Sequence, residues 1–285
     1  MTHQWHSAPL RSQPGWVECR GHCVPQFLSG IAVQIRPEPV ALMEAIVDHV
    51  IDHFDSALEQ QRFKPLGLAT GRTMEPFYRV LVERLAAWPA PRLAHLKRCW
   101  LSFNLDEYVG LPAADDHSFA AYMHDQLGRH LELAPQQLCL PDGMAGDPAQ
   151  EARRYAAAVQ DAGGIGLQLL GLGGNGHVGF NEPPSPAGSR CRVVTLKRAT
   201  RIQNADAFGG DPDRVPERAI TLGLDEILAA DEIHLIVTGA AKAEILRTAL
   251  LDPCRAEVPA SWLQLHSRVH LWVDDAASAH LPLLS

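Results

Sequence analysis

Apolar and polar residues alternate along most of this chain with two distinct periods. Short apolar runs, which predict buried strands, occupy residues 66–70, 99–105, 165–170, 192–196, 233–237 and 269–273. Apolar positions spaced three and four apart, which predict helices, occupy residues 39–58, 77–88, 116–131, 150–161, 222–230 and 240–251. Strands and helices therefore alternate without an internal repeat. This order predicts a mostly parallel sheet covered by helices on both faces.

The first 30 residues lack such a period and carry scattered proline, glycine, histidine and tryptophan. We expect an irregular N-terminal extension at 1–30, followed by a single α/β domain at 31–285. No run reaches the roughly 18 apolar residues of a membrane span, and the N-terminus shows no signal-peptide pattern. These features favour a cytoplasmic protein.

The six cysteines include no C-x-x-C pair, and a chain of 285 residues is long enough to fold without disulfides. We therefore expect reduced thiols. Cys19, His22 and Cys23 lie close together in sequence, beside His3 and His6, but their spacing is poor for a zinc site. We expect no metal ion there.

Composition narrows the choice of partners. Hydrophobic residues make up 46% of the chain and charged residues 20%, a balance that supports a sizeable core. The formal net charge of -8 argues against a general nucleic-acid binder, because binding to a phosphate backbone needs a basic face. A small anionic substrate stays open, since a local cluster of cations could hold it. A homo-oligomer stays open as well.

The segment from Gly171 to Glu182 is the most informative part of the sequence. It follows a predicted strand, and its first nine positions hold five glycines, which fits a turn with positive φ or a backbone close to a ligand. The segment also carries an amide, an imidazole and a carboxylate, at Asn175, His177 and Glu182. A carboxylate near an imidazole controls its tautomer and pKa, as proton transfer requires. The alternative is a glycine-rich loop in which His177 and Glu182 are incidental.

Two other segments indicate that the chain holds an anion. Thr70, Gly71, Arg72 and Thr73 join a predicted strand to a predicted helix, where backbone N–H groups and the helix dipole can point at an anion. Their spacing fits neither a Walker loop nor a dinucleotide fingerprint. Lys242 lies in the first turn of another predicted helix, where the dipole disfavours a cation. An anion between the lysine and the helix start would explain this position.

Asp106 and Glu107 follow the strand predicted at 99–105. Ligands of open α/β sheets bind outside the carboxyl ends of the strands, so these adjacent carboxylates are candidates for a general base. A helix N-cap followed by a solvated acid explains the pair equally well.

His49 and His53 are four residues apart in the first predicted helix, a spacing used by some zinc enzymes. The residue after the first histidine is Val50 rather than Glu, so the general base of that motif is missing. We therefore predict a solvated polar face that carries both histidines together with Asp48 and Asp52.

Several separated motifs follow one another along the chain. They are Ala69-Thr-Gly-Arg-Thr73, Phe103-Asn-Leu-Asp-Glu-Tyr-Val-Gly-Leu-Pro112, Gly171-Leu-Gly-Gly-Asn-Gly-His-Val-Gly-Phe-Asn-Glu-Pro183, Ser189-Arg-Cys-Arg192, Thr200-Arg-Ile-Gln-Asn204, Ile220-Thr-Leu-Gly223, Val237-Thr-Gly-Ala-Ala-Lys242 and Leu263-Gln-Leu-His266. In this order they resemble the glucosamine-6-phosphate deaminase (isomerising) family, which is related to the 6-phosphogluconolactonases. The Phe180-Asn-Glu-Pro183 ending of the glycine segment favours the deaminases.

The resemblance implies a modified Rossmann-like α/β fold with neither a cofactor nor a metal. It implies an enzyme that isomerises an amino sugar and hydrolyses its C–N bond. A hexosamine 6-phosphate, in the first instance glucosamine 6-phosphate, would become a ketose 6-phosphate and ammonia. The steps would be ring opening, proton transfer from C2 to C1, and hydrolysis.

The resemblance also implies roles for single residues. Asp106 would be the base that moves the C2 proton. His177 would catalyse ring opening, with Asn175 and Glu182 orienting and tuning it. The phosphate would be held by Thr70, Gly71, Arg72, Thr73 and Lys242.

Three residues depart from the family's pattern. Asn175 stands where many members carry Asp, which changes the tuning of the histidine pKa. Arg72 stands where the family has Ser or Gly, and Asp206 stands where the family usually has an Arg on the phosphate. We expect Arg72 to supply the missing cation, with Asp206 turned away or paired with a neighbour such as Arg201.

Asp206 also leaves two alternatives open. In the first, the substrate is a different amino sugar, galacto-configured or unphosphorylated, and Asp206 binds its hydroxyl groups. In the second, the chain is a sugar-phosphate sensor without turnover. The presence of Asp106, His177 and Glu182 speaks against a sensor, which has no need for all three.

Overall fold

The computed structural model describes residues 16–19, 22–25 and 30–282. Its strands, numbered along the chain, are β1 (Trp16–Cys19), β2 (His22–Pro25), β3 (Ile31–Arg36), β4 (Leu66–Leu68), β5 (Ser102–Asn104), β6 (Asp106–Tyr108), β7 (Leu138–Cys139), β8 (Leu167–Gly171), β9 (Arg192–Thr195), β10 (Arg218–Thr221), β11 (Glu232–Val237) and β12 (Val269–Asp274). Seven of them form one parallel sheet in the order β3-β12-β11-β8-β4-β5-β7. The predicted mostly parallel α/β sheet is therefore confirmed.

Helices pack around this sheet. They are α1 (Pro39–Glu59), α2 (Glu75–Ala86), α3 (Ala90–Cys99), α4 (Phe119–Met123), α5 (Arg129–Leu131), α6 (Pro148–Asp161), α7 (Arg198–Asn204), α8 (Leu224–Leu228), α9 (Ala243–Leu251) and α10 (Asp275–Ser278). A π-helical turn, His124–Gly128, joins α4 to α5, and a 3-10 turn, Ala240–Lys242, precedes α9. Every residue of β11 and of β12 is buried, which explains the unbroken apolar runs Leu235–Val237 and Leu271–Val273. Polar residues stand near the start of each strand, at Glu232, His234 and His270.

A second, antiparallel sheet begins where β5 ends. Only Leu105 separates β5 from β6, and β6 pairs with β10, which pairs with β9. The N–H of Leu105 donates to Leu68 at 3.0 Å, and its carbonyl accepts from Leu222 at 2.7 Å. These bonds fix Asp106, the first residue of β6, at the junction between the two sheets.

The apolar core is divided in the same way. One large cluster of buried side chains surrounds the central sheet, whereas a small cluster supports the antiparallel sheet. The small cluster consists of Tyr108, Phe180, Leu196, Ala205, Phe208, Val215 and Ala219. It ties β6 to the segment after Gly171 and to the segment after β9.

Some elements differ from the sequence prediction for identifiable reasons. Helix α3 was not predicted because Leu96 is its one buried residue, so it carries no apolar stripe. The strand predicted at 99–105 is shorter because Cys99 ends that helix. The helix predicted at 116–131 begins later, since the hydroxyl of Ser118 caps α4 by accepting from the N–H of Ala121 at 3.0 Å.

The prediction for the polar face of α1 is wrong for its two histidines. Asp48 and Asp52 are exposed, but His49 and His53 are half-buried. The ring of His49 lies 4.8 Å from the ring of His270, on β12. The histidines therefore face the sheet rather than solvent.

The N-terminal segment contributes a two-stranded antiparallel pair, β1 with β2. The arrangement of the cysteine and histidine side chains in residues 1–29 lies outside the described residues. The four cysteines whose side chains are described carry free thiols, as predicted, and they are Cys99, Cys139, Cys191 and Cys254.

Within the described part of the chain, no helix combines the length and apolarity needed to cross a bilayer.

Candidate active site

A cavity of about 410 Å³ opens beyond the carboxyl ends of β4, β5 and β8. This is where ligands bind in open α/β sheets. Eight of the ten residues predicted for the site line the cavity, namely Thr70, Gly71, Arg72, Thr73, Asp106, His177, Asp206 and Lys242. The other two, Asn175 and Glu182, lie behind His177.

The glycine segment after β8 folds into a tight turn. The N–H of Gly173 donates to the carbonyl of His177 at 2.9 Å, and the N–H of Gly176 donates to Gly173 at 3.0 Å. A Cβ on Gly173 would lie 2.3 Å from the His177 ring, and Gly176 has a φ of +84°. Glycine is therefore required at both positions, by close approach at one and by backbone conformation at the other.

Three side chains form a chain of hydrogen bonds behind the cavity. The amide nitrogen of Asn175 donates to Glu182 at 2.9 Å, so its oxygen points the other way. That oxygen lies 2.6 Å from Nδ1 of His177. An amide oxygen only accepts, so Nδ1 carries the proton and Nε2 keeps a lone pair. The sequence predicted that Asn175 and Glu182 lie near His177, and the structure brings the three together.

His177 is almost completely buried, and its pKa is lowered to about 4. Burial is the main cause, and the positive charge of Lys242 acts in the same direction, whereas the negative charge of Glu182 raises the pKa. The imidazole is therefore neutral near pH 7. A neutral ring with a free Nε2 can accept a proton and return it.

Asp106 is the second titratable group of the cavity. Burial, together with repulsion from Glu107, raises its pKa to about 8, although a hydrogen bond from the backbone of Phe180 acts in the opposite direction. Gly179, with a φ of +53°, brings the chain close to this carboxyl, since a Cβ there would lie 3.3 Å from Oδ2. A carboxyl that titrates near neutral pH suits general acid–base work.

Glu107 has a different task from its neighbour. Its carboxylate accepts from the backbone N–H groups of Tyr108, Phe119 and Ala120, at 2.8, 3.0 and 2.8 Å. It therefore holds the start of α4 against β6 and does not line the cavity. Of the two adjacent carboxylates in the sequence, Asp106 is the one in the cavity.

The predicted anion-binding turn borders the same cavity. Gly71 has a φ of +98°, and the N–H of Met74 donates to its carbonyl at 2.8 Å, just before α2 begins. Lys242 reaches the cavity from the 3-10 turn before α9, and burial lowers its pKa. Arg72 and Lys242 are thus two cations from distant parts of the chain at one cavity.

A family model described as glucosamine-6-phosphate isomerases/6-phosphogluconolactonase matches residues 37–272. The match includes every residue placed around the cavity above. The chain belongs to this family.

Curated relatives and solved structures agree with this membership. The glucosamine-6-phosphate deaminase of Rhodopirellula baltica is 44% identical over 255 residues, covering 88% of this chain and 96% of the relative. That of Shouchella clausii is 42% identical over 214 residues, covering 75% and 84%. A solved monomeric glucosamine-6-phosphate deaminase is 35% identical with a TM-score of 0.77, covering 87% of this chain and 99% of its own. The 6-phosphogluconolactonase of Trypanosoma brucei shares the fold, with a TM-score of 0.69. It is 19% identical, and the match covers 88% of this chain and 98% of its own.

The two residues that depart from the family's pattern at the predicted phosphate site contact each other in the structure. The guanidinium of Arg72 donates to the carboxylate of Asp206 at 2.7 Å, and both side chains are about 70% exposed, at 73% and 69%. Arg201, the partner suggested by the sequence, instead lies beside Asp213 and Glu217. An exposed pair of this kind stabilises by about 0–1 kcal/mol, so the contact is easily broken.

Some lining residues were missed by the sequence analysis. The side chain of Gln203 accepts from the N–H of Gly174 at 3.3 Å, and the ring of His117 stacks on Phe208 with 4.8 Å between centroids. Gln203 stands inside one of the family motifs, which was a usable signal. His117 lies in a polar loop beside Asp115, which its Nδ1 contacts at 2.8 Å, and no local pattern marks it.

Proposed function

We propose that this chain is a glucosamine-6-phosphate deaminase, which converts glucosamine 6-phosphate and water to the ketose 6-phosphate and ammonia. One observation carries the proposal. A buried carboxyl that titrates near neutral pH, Asp106, and a buried neutral imidazole, His177, open on one cavity with two cations. Family membership and the curated relatives support the same substrate.

In the proposed first step His177 opens the sugar ring. Its Nδ1–H is directed at Asn175, so Nε2 is the nitrogen available to the substrate. Nε2 takes the proton of the C1 hydroxyl and returns a proton to the ring oxygen as the C1–O5 bond breaks. The product is the open-chain aldehyde. Neutral histidine is the form that this step requires.

In the second step Asp106 takes the proton from C2 of the open-chain sugar and delivers it to C1, while one proton of the substrate's ammonium group passes to the C1 oxygen. The double bond then lies between C2 and nitrogen, water adds to C2, and ammonia leaves. Asp106 must be ionised to start, although its pKa is about 8 in the free chain. The positive charge of the substrate's ammonium group favours the carboxylate, since an opposite charge within about 4–6 Å lowers a carboxyl pKa.

The phosphate is proposed to bind between the Thr70–Thr73 turn and Lys242. The turn offers backbone N–H groups ahead of α2. Lys242 offers a positive charge; burial lowers its pKa, and a bound phosphate would stabilise the charged form. Arg72 adds a second cation once it leaves Asp206. All of these groups belong to one chain, so a monomer is sufficient for the proposed reaction. A phosphorylated substrate of this kind fits a cytoplasmic enzyme.

The proposal is tested by measuring ammonia release and ketose formation with glucosamine 6-phosphate, galactosamine 6-phosphate and free glucosamine. Hydrolysis of 6-phosphogluconolactone is measured alongside, because the family includes that activity. We expect ammonia and ketose in equal amounts, with glucosamine 6-phosphate preferred by kcat/KM. A preference for a free or galacto-configured sugar would support the alternative in which Asp206 binds hydroxyl groups. Binding of glucosamine 6-phosphate without turnover would support a sensor.

A further inference from the structure

A second polar cluster lies at the amino ends of β11 and β12, whereas the cavity lies beyond the carboxyl ends of β4, β5 and β8. Its centre is Glu232, the first residue of β11, with His234 two residues further along. His270 comes from β12, and His49 and His53 come from α1. A cleft of about 500 Å³ borders the cluster and is lined by Glu232 and three of these histidines, His49, His53 and His270. The proposed reaction uses none of these groups.

The geometry brings metal-binding atoms together. One ligand atom from each of His49, Glu232, His234 and His270 can be chosen so that all lie within 4.8 Å of one another. The rings of His49 and His270 are 4.8 Å apart between centroids, and Nε2 of His270 lies 4.0 Å from Glu232. Two ligands on one tetrahedral zinc are about 3.4 Å apart, so a contraction of up to about 1.4 Å per contact would bring them into place.

The protons on His234 decide which of these groups can act as ligands. The indole N–H of Trp272, which only donates, points at Nδ1 of His234 at 3.0 Å. The neutral ring therefore carries its proton on Nε2, which lies 3.4 Å from Glu232. His234 thus orients the carboxylate instead of offering a lone pair. Partners that orient metal-binding carboxylates in this way are common around metal ions.

We propose that His49, His270 and Glu232 bind a divalent transition-metal ion of the zinc type. Two imidazoles and a carboxylate are a ligand set that such ions prefer, and calcium or magnesium would require more oxygen ligands. The bordering cleft leaves room for a water molecule as a fourth ligand. The ion would join α1 to β11 and β12, so it would act on the stability of the fold and not on the chemistry in the cavity.

Arg268 is the competitor of the metal ion for the carboxylate. Its guanidinium donates to Glu232 at 2.7 Å, and its side chain is 61% exposed. A cation at this position opposes metal binding, but an exposed arginine can turn into solvent when a metal arrives. Removing Arg268 should therefore tighten metal binding. If the cluster were only a structural ion-pair network, the same substitution would weaken that network and would not tighten metal binding.

The test uses the full chain without an affinity tag, and Zn²⁺ is the probe. After dialysis against a zinc buffer, we expect zinc bound by the parent, a higher Tm in zinc than in chelator, and a visible d–d absorption after substitution by Co²⁺. His49→Gln and His270→Gln should each weaken zinc binding at least about tenfold. Arg268→Gln should tighten it several-fold. His124→Gln, on an exposed histidine, is the matched control and should bind like the parent.

The N-terminal cysteines are tested separately with Cys19→Ser/Cys23→Ser, which should keep the zinc. Retention of zinc at parental affinity by both His49→Gln and His270→Gln would overturn the proposal. Loss of zinc from the double-serine variant or from His124→Gln would do the same. Ammonia release by each variant, measured in parallel, reports whether it is folded. The Arg268→Gln variant keeps the proposal falsifiable if a histidine variant fails to fold.

Discussion

The Nδ1 atom of His177 lies 2.6 Å from the side-chain oxygen of Asn175, and this contact determines which ring nitrogen is left without a proton at the cavity. Glu182 sets the direction of the amide from behind. An amide between the carboxylate and the imidazole fixes the tautomer without placing a negative charge directly on the ring. The histidine consequently stays neutral under the influence of its burial.

Asn175→Asp should raise the pKa of His177 above its value of about 4, because a carboxylate against the ring stabilises the imidazolium. Glu182→Gln should lower that pKa, since Glu182 is the group whose charge raises it. NMR titration of nitrogen-labelled histidine measures both midpoints and also reports the Nδ1–H tautomer in the parent. Equal midpoints in all three proteins would contradict the role of the Asn175–Glu182 pair.

His177→Gln should slow the reaction of the ring-closed sugar more than that of an open-chain analogue. Only the closed form needs the proton relay through Nε2. Asp106→Asn is the matched comparison, because it should slow both substrates alike. Steady-state kinetics on the two substrates provide the measurement. Equal losses in His177→Gln would leave His177 as a binding residue with no part in ring opening.

Asp106→Asn should gain thermal stability over the parent as pH rises. The pKa of Asp106 is 3.8 ordinarily and about 8 in the folded chain, so the folded state keeps a proton that the unfolded state releases between these values. This contribution to the free energy of unfolding is complete below about pH 4 and is lost as pH rises through about 8. The Tm difference between variant and parent should therefore grow from pH 5 to pH 9. Asp161→Asn, on an exposed residue of α6, is the control. The same trend in Asp161→Asn, or no trend in Asp106→Asn, would argue against the buried carboxyl.

Arg72→Gly should raise KM for glucosamine 6-phosphate by roughly tenfold, since a charge-assisted hydrogen bond contributes about 1.5–3 kcal/mol and this one is exposed. Asp206→Asn should lower KM, because it frees the guanidinium. Neither change should affect the kinetics of free glucosamine. Unchanged KM for the phosphorylated sugar in Arg72→Gly would remove Arg72 from the phosphate site.

The sequence predicted those parts of the molecule that depend on local pattern. Apolar runs located five of the seven strands of the parallel sheet, but not β3 or β7. The position of Asp106 after one of these strands placed it at their carboxyl ends, where ligands bind. The separate task of Glu107 could not be predicted, because it depends on the start of α4 returning to β6. The Arg72–Asp206 contact joins residues 134 positions apart on the surface, where no periodicity constrains the chain.

The histidines of α1 were misplaced for a related reason. A helix with polar residues on one side is ordinarily solvated there, and His49 and His53 fit that pattern. In this fold the polar side of α1 packs against the polar residues near the starts of β11 and β12, and Nδ1 of His53 lies 3.1 Å from Oε1 of Glu232. Glu232 and His270, near the starts of two buried strands, were the available signal in the sequence. They indicate a polar cluster only when it is known that the two strands pair with each other.

In the proposed function, Asp106 moves the C2 proton of glucosamine 6-phosphate in a reaction that ends with ammonia. The most direct measurement follows loss of the C2 hydrogen by NMR and release of ammonia in the same reaction, for the parent and for Asp106→Asn. The parent should lose the hydrogen and release ammonia in equal amounts, and the variant should slow both by ~10²–10⁴-fold. Removal of the C2 hydrogen at the parental rate by Asp106→Asn, or no ammonia from the parent, would contradict the account.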